Sequence, residues 1–220
     1  TCAKRRNGET MIRIGRLIML AGPAAVGKSV ALKALTSGKL PALSAQLGLD
    51  DGPPAEYLAG RKVHRIENLE RDVLLFHYDI TRPRKYEITE GPYDNEKALR
   101  IVAGAERVVF VTCWTDQKIL LERLQMKWRF GERLGALIPG SRLARKRRMI
   151  SLLESIYTDL AKLTELYGQW FEYAGRHTAE AHWIVDTTTR DLTAMTMADW
   201  RRRLEERGLK EWVAVCPVGR

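Results

Sequence analysis

The sequence is poor in cysteine. Cys2, Cys113 and Cys216 are its only three thiols. Three cysteines exclude a dense disulfide framework, and their spacing matches no zinc-ligand pattern. The plain expectation is a reduced, cytoplasmic setting. Long hydrophobic runs are also lacking. The longest near the N-terminus, Leu17 to Ala21, is too short for the apolar part of a secretory signal or for a membrane span. Acidic residues are in deficit, 27 against 37 Lys and Arg, which leaves a net charge of +10. That surplus points to an anionic partner such as a phosphate, a nucleic acid or an acidic surface, without choosing among them.

What is present is ordinary globular material, with 45% hydrophobic and 29% charged residues. A chain of 220 residues can bury a sizeable core without a metal or disulfide. It opens on Thr1, and Lys4, Arg5 and Arg6 stand in a stretch almost free of apolar residues. Residues 1–14 therefore read as a flexible basic leader, or a linker from something upstream. Residues 15–220 read as a single domain.

Short apolar runs alternate with longer amphipathic stretches. Strands are expected at Arg16–Ala21, Asp72–Asp79, Arg107–Cys113 and His182–Asp186, with Lys62–Ile66 a weaker one and Trp212–Val215 at an edge. Helices are expected at Ser29–Thr36, Asp116–Trp128, Ser151–Ala174 and Thr196–Glu206, the last closed by Gly208. Lys39–Gly60 is rich in Pro and Gly and reads as mostly loop with room for one helical turn. Continuous apolar strands alternating with helices imply a mainly parallel sheet covered on both faces. The expected fold class is α/β, a three-layer α/β/α sandwich. The aromatic residues of the long helix, Tyr157, Tyr167, Trp170, Phe171 and Tyr173, read as a packing face.

One motif carries the functional reading. Gly22-Pro23-Ala24-Ala25-Val26-Gly27-Lys28-Ser29 fits G-x-x-x-x-G-K-[ST], follows a strand and opens a helix. Glycines let a backbone wrap closely around phosphate oxygens with its N–H groups turned inward. The helix start adds a positive end. A lysine at the Lys28 position reaches the β- and γ-phosphates, and a hydroxyl at Ser29 meets magnesium. On these residues the chain resembles the P-loop NTPase superfamily. The absence of D-x-x-G and N-K-x-D after the later strands, and the compact length, point to the branch of small nucleotide and metabolite kinases.

That resemblance implies an ATP- or GTP-dependent phosphotransferase using Mg2+. The nucleotide-binding residues would be Gly22, Pro23, Ala24, Ala25, Val26, Gly27, Lys28, Ser29 and Val30. Asp79, closing an apolar strand, would hold the metal with Ser29 or accept the acceptor's proton. Arg123, in Leu120-Leu121-Glu122-Arg123-Leu124, matches a family arginine that lies against the base or the phosphates. A basic, glycine-punctuated stretch follows. Eight basic residues and one acid, Glu132, lie within Lys127–Arg148. Residues 126–150 would form a helical lid whose Arg129 and Arg133 stabilise the transferred charge. Arg82 and Arg84, just past Asp79, suggest a small anionic acceptor. His77 reads as structural. Ile184–Thr188 is similar to the last strand and loop of such kinases, where backbone meets the base. The segment that would select the acceptor, Lys39–Arg71, holds no motif. Two other functions fit the same residues. One is a sulfotransferase-like enzyme, disfavoured because no Arg follows the strand at Val108–Val111. The other is a nucleotide-gated binding module whose basic segment docks on nucleic acid, a less favoured partner.

Overall fold

The structure is a computed structural model, and it describes residues 11–49, 56–59, 68–85, 97–135, 141–177 and 181–217. The expected strand at Lys62–Ile66 and residues 1–10 of the expected leader lie outside the described residues.

In chain order the elements are β1 (Met11–Gly22), α1 (Lys28–Thr36), α2 (Pro41–Gln46), β2 (Glu56–Ala59), β3 (Asn68–Asp79), α3 (Arg82–Lys85), α4 (Arg100–Ala103) and β4 (Ala105–Trp114). There follow α5 (Gln117–Gly135), α6 (Ser141–Thr158), α7 (Leu160–His177), β5 (His182–Asp186), β6 (Thr193–Thr196), α8 (Met197–Glu206) and α9 (Lys210–Val215). The strands form one six-stranded sheet in the order β2-β3-β1-β4-β5-β6. Every neighbouring pair is parallel except β5–β6. The protein is thus α/β with a mainly parallel mixed sheet, an arrangement consistent with a three-layer sandwich.

The central strands are buried on both faces, as their sequence implied. Leu17 to Ala21 and Val108 to Trp114 are buried without a break, so neither face of the sheet is open to water there. On one face α7 supplies an aromatic layer. Trp170 stacks on Tyr78 of β3 at 5.6 Å between ring centroids and meets Phe110 of β4 edge-on at 5.6 Å. Trp200 of α8 and Trp212 of α9 both pack on Trp114. The expected packing role of the long-helix aromatics is what the structure shows.

Several boundaries differ from expectation. The strand expected at Arg16–Ala21 starts at Met11, so the last residues of the expected leader belong to the sheet. There Ile12 pairs with Leu69 and Ile14 with Arg71. The long helix expected over Ser151–Ala174 is two helices. Asp159 ends one and caps the next, its carboxylate accepting from the Lys162 N–H at 3.3 Å. The apolar face runs through this break, which is why periodicity joined the two. Trp212–Val215 is helical, not an edge strand, because Trp212 is pulled into the aromatic layer beside Tyr167 at 5.1 Å. The edge is closed instead by β6, antiparallel to β5. Gly208 ends α8 with φ 68°, in the left-handed conformation the sequence called for.

Candidate functional site

The sheet builds outward in both directions from β1, which pairs with β3 on one side and β4 on the other. In open parallel sheets the carboxyl ends of strands at such a reversal form a crevice. The loop Gly22–Gly27 leaves β1 at that point and enters α1. Gly22 has φ 150°, and a Cβ there would lie 2.9 Å from the Cys113 carbonyl oxygen and 2.9 Å from a Val26 methyl. Gly27 has φ 108°, and its Cβ would lie 3.1 Å from Thr187. Both glycines are therefore required by backbone angle and by close approach. Ala25 also sits at positive φ, 69°.

The loop is held from behind by its own carbonyls. The Ile80 N–H donates to the Gly22 oxygen at 3.1 Å. The Tyr157 hydroxyl donates to the Ala24 oxygen at 2.9 Å. The Val26 oxygen accepts from Arg123 Nη1 at 3.1 Å and from the Thr187 hydroxyl. In a planar trans peptide the N–H points opposite to the C=O. Fixing the Ala24 and Val26 carbonyls on these donors therefore turns the N–H groups of Ala25 and Gly27 the other way.

A cavity of ≈ 340 Å³ lies against the loop. Ala24, Ala25, Gly27, Lys28 and Ser29 line it, and Asp79, Lys85, His77 and Lys127 add polar side chains. Leu124, Met149, Ile150 and Leu153 of α5 and α6 make its apolar wall. A second cleft, ≈ 480 Å³, runs along α1 beside Val30, Lys33, Lys39, Arg190 and Leu192.

Lys28 is buried, and its Nζ donates to the Gly22 oxygen at 2.7 Å and the Pro23 oxygen at 2.6 Å. Burial lowers its pKa to about 8, against the opposing pull of Asp79. Asp79 is the register partner of Gly22 across β1 and β3. One carboxylate oxygen accepts from the Thr81 N–H at 3.1 Å and the Thr81 hydroxyl at 2.6 Å; the other takes Lys85 Nζ. Burial pushes its pKa up, but Lys28, Lys85 and the Thr81 hydroxyl together hold it well below the usual carboxylate range. Among the described residues no group of three or more His, Cys, Asp or Glu could hold a metal. The donor set facing the cavity is one hydroxyl, Ser29, and one carboxylate, Asp79, which suits a hard cation whose other ligands come from phosphate oxygens and water.

The expected site residues separate into three groups. Ala24, Ala25, Gly27, Lys28, Ser29 and Asp79 share the cavity. Gly22, Pro23 and Val26 are buried beneath the loop and shape it, while Val30 is exposed at the second cleft. Arg123 is placed behind the loop: besides Val26 it donates from Nη2 to the Thr187 oxygen at 2.6 Å. Arg129 is exposed and outside the cavity lining, and the Arg133 side chain lies outside the described residues. Arg84 donates to Glu165 at 3.1 Å and Gln169 at 3.3 Å on α7, and Arg82 does not line the cavity. Four residues were not read from the sequence: Lys85, Tyr157, Thr187 and Lys127 in this role. Tyr157 and Thr187 sit far along the chain from the loop they hold, and no local pattern marks them. His77, read as structural, lines the cavity.

Comparison with protein-family models, curated proteins and solved structures finds no match for this chain. No helix among the described residues is long and apolar enough to cross a membrane.

Proposed function

We propose that the protein is a phosphotransferase of the P-loop type, binding a magnesium-bound nucleoside triphosphate at the Gly22–Ser29 loop and transferring its terminal phosphoryl group to a small acceptor. The observation that carries this reading is the loop itself. Its carbonyls are bonded to neighbouring elements, two of its N–H groups are turned the opposite way, and Lys28, Ser29 and Asp79 share one cavity with it. Such an arrangement suits oxygen anions. The sheet order supports it, because the loop strand lies directly beside the strand that ends in Asp79.

Magnesium, held by Ser29 and Asp79, would offset the charge of the phosphates. A carboxylate held ionised by two lysines is a weak base, so Asp79 is assigned the cation rather than the acceptor's proton. In the transfer the acceptor oxygen bonds to the terminal phosphorus as the bond to the bridging oxygen breaks. The nucleoside diphosphate leaves with the bonding pair, and the hydroxyl proton passes to water. The second cleft along α1, beside Arg190 and Leu192, is the natural place for the nucleoside. Arg123 and Tyr157 act as positioning residues, and the segment 126–150 as the closing element.

The test is Lys28→Ala. Titration with a fluorescent ATP or GTP analogue and magnesium should show binding lost while the thermal unfolding transition is retained. Unchanged affinity overturns the reading.

A further inference from the structure

The charges in the cavity also describe the acceptor. Among the described residues the lining carries three lysines, Lys28, Lys85 and Lys127, against one carboxylate, Asp79, a formal surplus of two with His77 neutral. A magnesium-bound triphosphate carries roughly two net negative charges at neutral pH, the metal's own charge included. Seating the nucleotide therefore consumes the surplus. The two arginines that would have received an anionic acceptor are elsewhere: Arg84 is bonded to Glu165 and Gln169, and Arg82 is outside the lining. What remains for the acceptor is the apolar part of the lining, Leu124, Met149, Ile150 and Leu153. The cavity, ≈ 340 Å³, is within the range of small-ligand sites.

We infer that the acceptor is an uncharged alcohol with an apolar body, its hydroxyl turned to the loop and its carbon skeleton laid on the α5–α6 wall. This rests on the phosphotransfer reading. Among the described lining residues, no further cation would offset an anionic group set beside the terminal phosphate. An apolar body gains from each methylene it removes from water.

The experiment uses a series of primary alcohols, from ethanol to octan-1-ol, with hexyl phosphate as the anionic counterpart. Binding is followed by calorimetry with and without a non-hydrolysable ATP analogue and magnesium, and product formation with ATP by phosphorus NMR. Affinity and KM should improve about three- to fourfold per methylene until the wall is covered. With nucleotide bound, hexan-1-ol should bind more tightly than hexyl phosphate. Met149→Gln should flatten the chain-length dependence, a change that a mere loss of nucleotide affinity would not produce. A flat series, or hexyl phosphate binding tenfold more tightly than hexan-1-ol beside the nucleotide, overturns the inference and leaves the kinase reading standing. Chain-length dependence in a protein that fails to bind the nucleotide supports the apolar wall and overturns the kinase reading instead.

Discussion

Gly22 and Asp79 are register partners across two parallel strands, so the first residue of the loop and the carboxylate of the site are fixed by the same ladder. The Ile80 N–H continues that ladder to the Gly22 oxygen at 3.1 Å. Replacing Gly22 tests how tightly this seam is drawn. Gly22→Ala puts a methyl 2.9 Å from the Cys113 carbonyl oxygen at a φ of 150°. It should cost more than about 2 kcal/mol, through overpacking and backbone strain together. Gly38→Ala, whose Cβ would meet nothing within 4 Å, should cost only about 1–2 kcal/mol, for the left-handed backbone alone. Urea titration of both variants compares them directly.

Tyr157→Phe keeps the ring and removes the hydroxyl that holds the Ala24 oxygen. The carbonyl is left without this donor, at about 1–3 kcal/mol. If the hydroxyl orients the loop, magnesium-nucleotide affinity should fall several-fold with the same variant. Calorimetry separates the two effects, because a purely structural tyrosine would lower the melting temperature and leave affinity alone.

The lowered pKa of Lys28 gives two opposed pH dependences. Its folded value is about 8, below its ordinary value of 10.5. Between those limits the unfolded chain holds the proton and the folded one does not, so stability should rise with pH across that window. Phosphate binding favours the charged lysine and raises its pKa. Nucleotide affinity should therefore be constant below pH 8 and fall up to tenfold per pH unit above it. Proton uptake, read by calorimetry at pH 8.5 in buffers of different ionisation enthalpy, checks the second effect.

His182 contributes to the loss of stability in acid. Burial lowers its pKa from 6.5 to about 3. Trp170 Nε1 donates to the Thr112 hydroxyl oxygen at 2.9 Å, and that hydroxyl stands 2.8 Å from His182 Nε2. The hydroxyl proton is then free to point at an unprotonated Nε2, which fixes a neutral ring. Between pH 6.5 and 3 the unfolded state binds the proton and the folded state does not, so stability falls as pH falls through that window. His182→Gln should remove this slope above about pH 4 in urea titrations; below that, the lowered carboxyl of Asp79 adds a slope of its own.

The sequence carried the loop and the four buried strands because both signals are local: a fixed spacing of glycines, and apolar runs that can only be covered on two faces. It misplaced Trp212–Val215 because a short apolar run fits strand and helix alike, and the choice was made by Tyr167 and Trp114. It ran α6 into α7 because Leu153, Ile156, Leu163 and Leu166 are all buried on either side of the break. The site divides in the same way. Lys28 and Ser29 follow from the motif, whereas the donors behind the loop come from α5, α6 and the residue after β5. Nothing near Tyr157 or Thr187 in the chain announces Ala24 or Val26 as a partner. Arg123 was legible as a residue of the site, but its guanidinium supports the loop from outside the cavity.

The aromatic layer separates two optical signals. Trp114, Trp170, Trp200 and Trp212 are all almost fully buried, and none of them lines the cavity beside the loop. The emission of these four indoles reports the integrity of the sheet and its covering helices. With Trp128, which falls in the segment 126–150, and the half-buried Trp183 replaced by Phe, the remaining emission works as a folding gauge while a labelled nucleotide reads binding in the same cuvette.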